Sequence, residues 1–328
     1  MRYRPLHASL LLLVSLEFFS TPCFPQDALV RQRAETLLEK ADSLATPHEF
    51  GAYEQLITFR SNSSQGSQQG RFISVVQGPR SYRDEYEFGS YRLLVIVNGD
   101  TYADVGDDRA KAPLEVRRMT WLNQPYRPRF DQSDIIRSIQ ESAVEGRAAS
   151  CIQFDTVMGE KTYPNQICID KQLGVISRVH VNGETIINSD FFAYRDTHLP
   201  AHIVYEQGDL HMELEQTKRQ YDGPFDPNFL TPPPSARVSH LCTGFRRAFG
   251  RFMPQPTPGT GTQNADVILH GTIATNGTIR EPSIDWTARP DLNDEALRIF
   301  RTWKFSGAIC DGTPIEVPVD VTLHFQRR

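Results

Sequence analysis

No charge of one sign dominates this 328-residue chain: 35 Lys and Arg face 40 Asp and Glu, for a formal net charge of -5. That balance excludes nucleic acid or an anionic membrane surface as its main partner. Long apolar runs are scarce too. The N-terminal run Ala8–Phe19 is interrupted by Glu17 and, at about a dozen residues, falls short of the roughly 20 that a spanning helix needs. Catalytic signatures are missing. The chain has no Gly-x-Ser-x-Gly, no His-Glu-x-x-His, no phosphate-cradling glycine loop and no Cys/His dyad, so we expect no enzyme, no cofactor and no metal. His198 and His202 have the spacing of a helical metal pair, but Pro200 between them opposes a helix. Asp84-Glu85 and Asp107-Asp108 read as solvated turns.

The N-terminus is informative. Arg2, Arg4 and His7 give a basic start, the apolar run follows, and Ser20, Thr21 and Pro22 close it, which is the order of a secretory signal peptide. Residues 1–26 are therefore set apart as a signal segment cleaved between Ser20 and Asp27, with a retained anchor as the alternative. Cys23 does not make a lipidation site, because Pro22 directly before it breaks the required pattern. Cys151, Cys168, Cys242 and Cys310 then remain, and an even number in an exported chain points to disulfides. Cys151 and Cys168 lie in apolar stretches around a turn containing Gly159, where a hairpin would set them side by side. Cys242–Cys310 is then the second pair. Buried free thiols are the alternative.

Residues 28–45 have helical spacing, with Val30, Ala34, Leu37, Leu38, Ala41 and Leu44 on one face. The period then changes to two. Tyr53, Gln55, Ile57 and Phe59 share one side of a strand, Ser61–Gln69 is a polar loop, and Arg71–Gln77 and Ser81–Phe88 are further strands. Tyr91–Val97 is apolar at nearly every position, as a strand covered on both faces would be. Ala112–Trp121 and Ser133–Ala143 read as short helices, and strands resume from Ala148 to Arg219. Residues 27–236 are thus a first domain, a curved antiparallel sheet over helices. Its late strand pair, Leu199–Gln216, and its closing phrase Asp226-Pro227-Asn228-Phe229-Leu230-Thr231-Pro232-Pro233 resemble the LolA/LolB-like lipoprotein-carrier fold. The resemblance implies an unclosed half-barrel whose concave apolar face holds acyl chains.

Residues 237–328 form the second expected domain. Val267, Leu269 and Ile273 alternate, Asn276-Gly277 turns the chain, and Ile279–Trp286 is a second strand. Pro290-Asp291 opens a helix with Leu292, Ala296, Ile299, Phe300 and Trp303 on one face. After Asp311-Gly312 a last strand alternates through Ile315, Val317, Val319, Val321, Leu323 and Phe325. Overall the chain reads as α+β. Gly271, Asn276-Gly277, Asp291-Leu292, Ala296-Leu297, Trp303-Lys304-Phe305, Asp311-Gly312-Thr313-Pro314 and Phe325 occur in the order and spacing of the TonB C-terminal domain, which this segment resembles. Two departures are the turn-rich Met253–Gln263 and Ser306-Gly307-Ala308, where the family has other residues. The resemblance implies a core signature of Gly271, Gly277, Leu292, Ala296, Trp303, Phe305 and Gly312. It also implies an exposed edge over Pro314, Ile315, Glu316, Val317, Val319, Val321, Leu323 and Phe325 that pairs with an extended peptide. A strand already paired within the sheet or a dimer is the alternative.

The expectation is therefore an exported periplasmic protein without catalytic activity. Its C-terminal module would bind an envelope protein or a TonB-dependent receptor peptide. The alternative is a carrier for a lipid or lipoprotein acyl chain.

Overall fold

The computed structural model describes residues 25–46, 51–63, 66–124, 128–158, 161–221, 223, 225–226, 228–256, 265–287 and 289–325. The expected signal segment lies outside them except for Pro25 and Gln26, which begin α1 (Pro25–Ala45). Five strands follow: β1 (Tyr53–Ser63), β2 (Gly66–Gly78), β3 (Ser81–Phe88), β4 (Tyr91–Asn98) and β5 (Thr101–Gly106). After α2 (Leu114–Leu122) comes a meander of β6 (Asp134–Val144), β7 (Arg147–Met158), β8 (Lys161–Asp170), β9 (Ile176–Val181), β10 (Glu184–Tyr194), β11 (Thr197–Gln207) and β12 (Leu210–Gln220). The short strands β13 (Arg237–His240), β14 (Phe245–Arg246) and β15 (Gly250–Phe252) lead to β16 (Ala265–Ile273) and β17 (Ile279–Thr287). The chain ends with α3 (Asn293–Thr302), β18 (Lys304–Phe305), β19 (Ala308–Cys310), β20 (Thr313–Ile315) and β21 (Val317–Phe325).

One antiparallel sheet of 13 strands dominates, in the order β13-β5-β4-β3-β2-β1-β12-β11-β10-β9-β8-β7-β6. Its end strands, β13 and β6, do not pair with each other, so the sheet stays open. Alternation decides which face is covered. On β1, Gln55, Ile57 and Phe59 are buried while Leu56, Thr58 and Arg60 are exposed. The inward residues of β1–β4 and β6–β12 form one apolar core with Ala34, Leu38 and Ala41 of α1 and Leu114, Val116 and Met119 of α2. Both helices therefore lie against one face of the sheet. On β4, Leu93, Val95 and Val97 join this core, whereas Ile96 packs outside it against Ala103 and Leu230. The proline-rich segment after β12 covers that outer face, which explains why β4 is apolar throughout.

Two local expectations fail. Ser133–Ala143 is not a helix but strand β6, paired with β7. Its register slips between Ile136 and Ser138, so Ile136 and Ile139 both meet the core three residues apart and imitate a helical period. Ser61–Gln69 is not a simple loop either. β1 and β2 stay paired out to Ser63 and Gly66, and the polar side chains there reflect a hairpin end that overhangs the core.

The C-terminal elements form a second layer. A three-stranded sheet, β17-β16-β21, carries α3 on one face through Val267, Leu269, Ile273, Ala296, Ile299, Phe300, Trp303 and Phe305. Its other face presents Ile268 and Trp286 to the main core. β16 is buried on both sides as a result. The boundary expected between residues 236 and 237 falls at the start of β13, which pairs with β5, so the chain stays with the large sheet through His240.

Candidate functional site

Along β12 the inward side chains change character. Leu210, Met212 and Leu214 are buried and apolar, Gln216 is buried and polar, and Lys218 is half-buried and cationic. A cavity of about 310 Å³ opens beside this strand. Trp121 and Leu122 at the end of α2, Ala45 at the end of α1, and Val179, Ile186, Leu199 and Ile203 of the meander line its apolar part. Its polar part is Gln55, Asn123, Asn188, His198, Gln216 and Lys218. The volume sits at the lower end of the range for small-molecule sites, and the mixed lining suits an amphiphile.

Most of the polar groups are already partnered. The Gln55 amide donates to Asn123 Oδ1 at 2.6 Å and to Gln216 Oε1 at 3.0 Å. Gln216 in turn donates to the Pro200 carbonyl. Two groups differ. The buried Nδ1 of His198 has no hydrogen-bond partner among the described residues. Lys218 Nζ lies 3.8 Å from the ring centre of Tyr53 and 5.2 Å from that of Tyr194. Burial, and then the like charge of Arg195, hold the Lys218 ammonium down at a pKa of about 8. His198 and His202 both lie on β11, not on a helix, and His202 sits 3.9 Å from Glu215 rather than at a metal site.

Asp84 corrects a third expectation. It is not in a solvated turn but in the middle of β3, opposite Ser74. Burial pushes its carboxyl up to about 6, against the opposing pull of the Ser74 hydrogen bond and Arg109. The same burial, with the Asp84 charge behind it, pushes the Tyr53 phenol up to about 12.

The two layers meet at Arg117 of α2. Its guanidinium pairs with Asp285 on β17 and with Asp320 on β21, the latter at 2.8 Å. His270 on β16 faces Asp320 with Nδ1 at 2.7 Å and the Ala110 carbonyl with Nε2 at 2.8 Å. Two acceptors on one ring favour the doubly protonated form. The Asp320 hydrogen bond accordingly raises the His270 pKa, against burial and Arg117. Although His270, Asp285 and Asp320 have the spacing of metal ligands, Arg117 already supplies the positive charge between them. Gln207 also reaches Thr322 at 3.3 Å, and the Trp286 indole donates to Asp209.

The expected edge is split. Pro314 and Ile315 belong to β20, paired with Ile309 and Ala308 of β19, and Glu316 forms an ion pair with Arg280 at 2.8 Å. Val317, Val319, Val321, Leu323 and Phe325 lie on β21, an end strand of its sheet, and pair with β16 over its whole length. In the expected core signature, Ala296, Trp303 and Phe305 are buried, and a Cβ at Gly271 would press on Phe300. Leu292 packs against that core from the end of a short 3₁₀ turn, and Gly312 turns the chain at φ +85°. Gly277 has φ +80°, and the Phe305 carbonyl fills the place of its missing side chain. The Phe305 amide donates back to Gly277 at 2.9 Å, which ties the first turn of the module to β18. Cys151–Cys168 and Cys242–Cys310 are both disulfide-bonded, the first across neighbouring strands β7 and β8.

No helix among the described residues is long and apolar enough to cross a membrane. No protein-family model matches the chain, and no curated protein matches it. Among solved structures, a Vibrio parahaemolyticus domain assigned to outer membrane lipoprotein sorting is similar over 61% of this chain and 97% of its own, at 10% identity and a TM-score of 0.37. A DUF1329 family protein from Desulfovibrio piger gives the same coverage, 61% and 97%, with 10% identity and a TM-score of 0.37. A LolA superfamily protein from Nitrosomonas europaea covers 58% of this chain and 94% of its own, at 11% identity and a TM-score of 0.33.

Proposed function

We propose that this chain is an exported, non-catalytic carrier that takes a single acyl chain into the cavity between α2 and strands β9–β12. The observation that carries this reading is the cavity's division into an apolar wall (Trp121, Leu122, Val179, Ile186, Leu199, Ile203) and a polar, cationic end at Lys218. An apolar chain there exchanges water contact for side-chain contact, at about 0.8 kcal/mol per buried methylene. Export to the periplasm is supported by the basic and apolar N-terminal segment and by two disulfides, which persist in oxidising compartments. The experiment is a titration of the mature full-length chain with a fluorescent fatty acid. Saturable binding at one site is expected, and Leu199→Trp, which fills the cavity, should abolish it. A flat titration with the parent chain ends the carrier reading.

A second reading concerns the C-terminal layer. Its strand, strand, helix, strand order and the position of β21 at the end of its sheet support peptide capture by strand addition, as in a TonB-like module. Calorimetry with periplasmic segments of TonB-dependent receptors tests it, and no heat of binding would remove it.

A further inference from the structure

Resting on the carrier reading, we infer that Lys218 and His198 form the receiving site for the anionic head of a single-chain amphiphile. Lys218 lies directly opposite Gln55 on the neighbouring strand β1, so both side chains face the cavity. The ammonium is held against the rings of Tyr53 and Tyr194, and no carboxylate pairs with it among the described residues. Ring faces stabilise a cation but do not neutralise it. A half-buried cation without a counter-charge is unfavourable, and an anionic ligand supplies what is missing.

His198 gives independent support. Its Nδ1 is buried on the same cavity wall, a donor or acceptor without a partner among the described residues. The nearby amides cannot account for this as a water-filled polar patch, since Gln55, Gln216 and Asn123 are hydrogen-bonded to one another. Among the described residues, the unfilled groups of the cavity are thus the cation and the imidazole. Arg195 adds charge of the same sign close by, as its depression of the Lys218 pKa records. A cavity of about 310 Å³ admits one chain and not two, which selects a carboxylate or phosphate monoester on a single acyl or alkyl tail.

The test is calorimetry of the mature full-length chain with laurate, dodecyl phosphate and dodecanol below their micellar range, with acetate and inorganic phosphate as heads alone. The expected result is that at least one anionic amphiphile binds about tenfold or more tightly than dodecanol. The tighter of the two identifies the carboxylate or the phosphate as the natural head. Lys218→Met should erase the preference, whereas Lys218→Arg should keep it. His198→Leu should reduce it. Equal binding of all three chains by the parent overturns the inference while leaving the carrier reading intact. So does a preference that survives in Lys218→Met. Inorganic phosphate binding as tightly as dodecyl phosphate would make this a free-anion site and also overturn it. Failure of every chain to bind is the distinct outcome that removes the carrier reading itself. The parent's preference among ligands is decisive even if a variant folds poorly.

Discussion

The indole of Trp286 occupies the space that a side chain would need at Gly208, a residue held at φ +61° in the turn between β11 and β12. This contact, with the Trp286 hydrogen bond to Asp209, fastens the C-terminal layer to the large sheet. Gly208→Val should therefore cost twice, once for backbone strain of about 1–2 kcal/mol and again for displacing the indole. We expect a lower melting temperature and a red-shifted tryptophan emission, because Trp286 would become solvated. An unchanged spectrum would show that the layers are not held at this point.

Arg117 makes the second fastening. Arg117→Met leaves Asp285 partly buried without its cation and Asp320 with His270 alone, and the expected destabilisation is on the order of 3 kcal/mol. Urea denaturation at neutral pH measures it.

His270 makes this junction sensitive to pH. Its pKa is raised in the folded chain, chiefly by Asp320. The stabilisation is complete below its ordinary value of about 6.5 and is lost as pH rises through the elevated folded value. Stability should accordingly fall as pH rises above about 6.5, and His270→Gln should flatten that fall. A His270→Gln profile that matches the parent would refute the assignment.

Asp84 predicts a gain from removing a charge. Its pKa is raised to about 6, so the folded chain holds its proton more tightly than the unfolded one. Stability from this group is greatest below the ordinary carboxylate pKa of about 3.9 and is lost as pH rises to the folded value. Asp84→Asn should therefore stabilise the chain at pH 7 by about 1–3 kcal/mol and have little effect at pH 4.

Much of this architecture is legible in the sequence, and the misses have physical causes. Period-two alternation at Gln55, Ile57 and Phe59 marks β1 because one face is buried and the other is not. Asn276-Gly277 marks a turn because its glycine takes a positive φ against the Phe305 carbonyl. β6 is misread because a bulge between Ile136 and Ser138 breaks the alternation that betrays a strand. Asp84 is misread because an adjacent acidic pair looks solvated until the strand register turns the first member inward and leaves Glu85 more exposed. The cavity itself is not legible. Its lining comes from α1, α2, β1 and β9–β12, elements far apart in the chain, and no local pattern records that they converge.

The central claim is that an acyl chain lies against Trp121. Laurate carrying a bromine on its tail quenches an indole that it touches, and the chain has 3 tryptophans, Trp121, Trp286 and Trp303. Only Trp121 lines the cavity; Trp303 lies in the α3 core and Trp286 at Gly208. Fluorescence titration of the mature chain should show saturable quenching that disappears in Trp121→Phe and persists in Trp303→Phe. No quenching in the parent, or undiminished quenching in Trp121→Phe, would contradict the account.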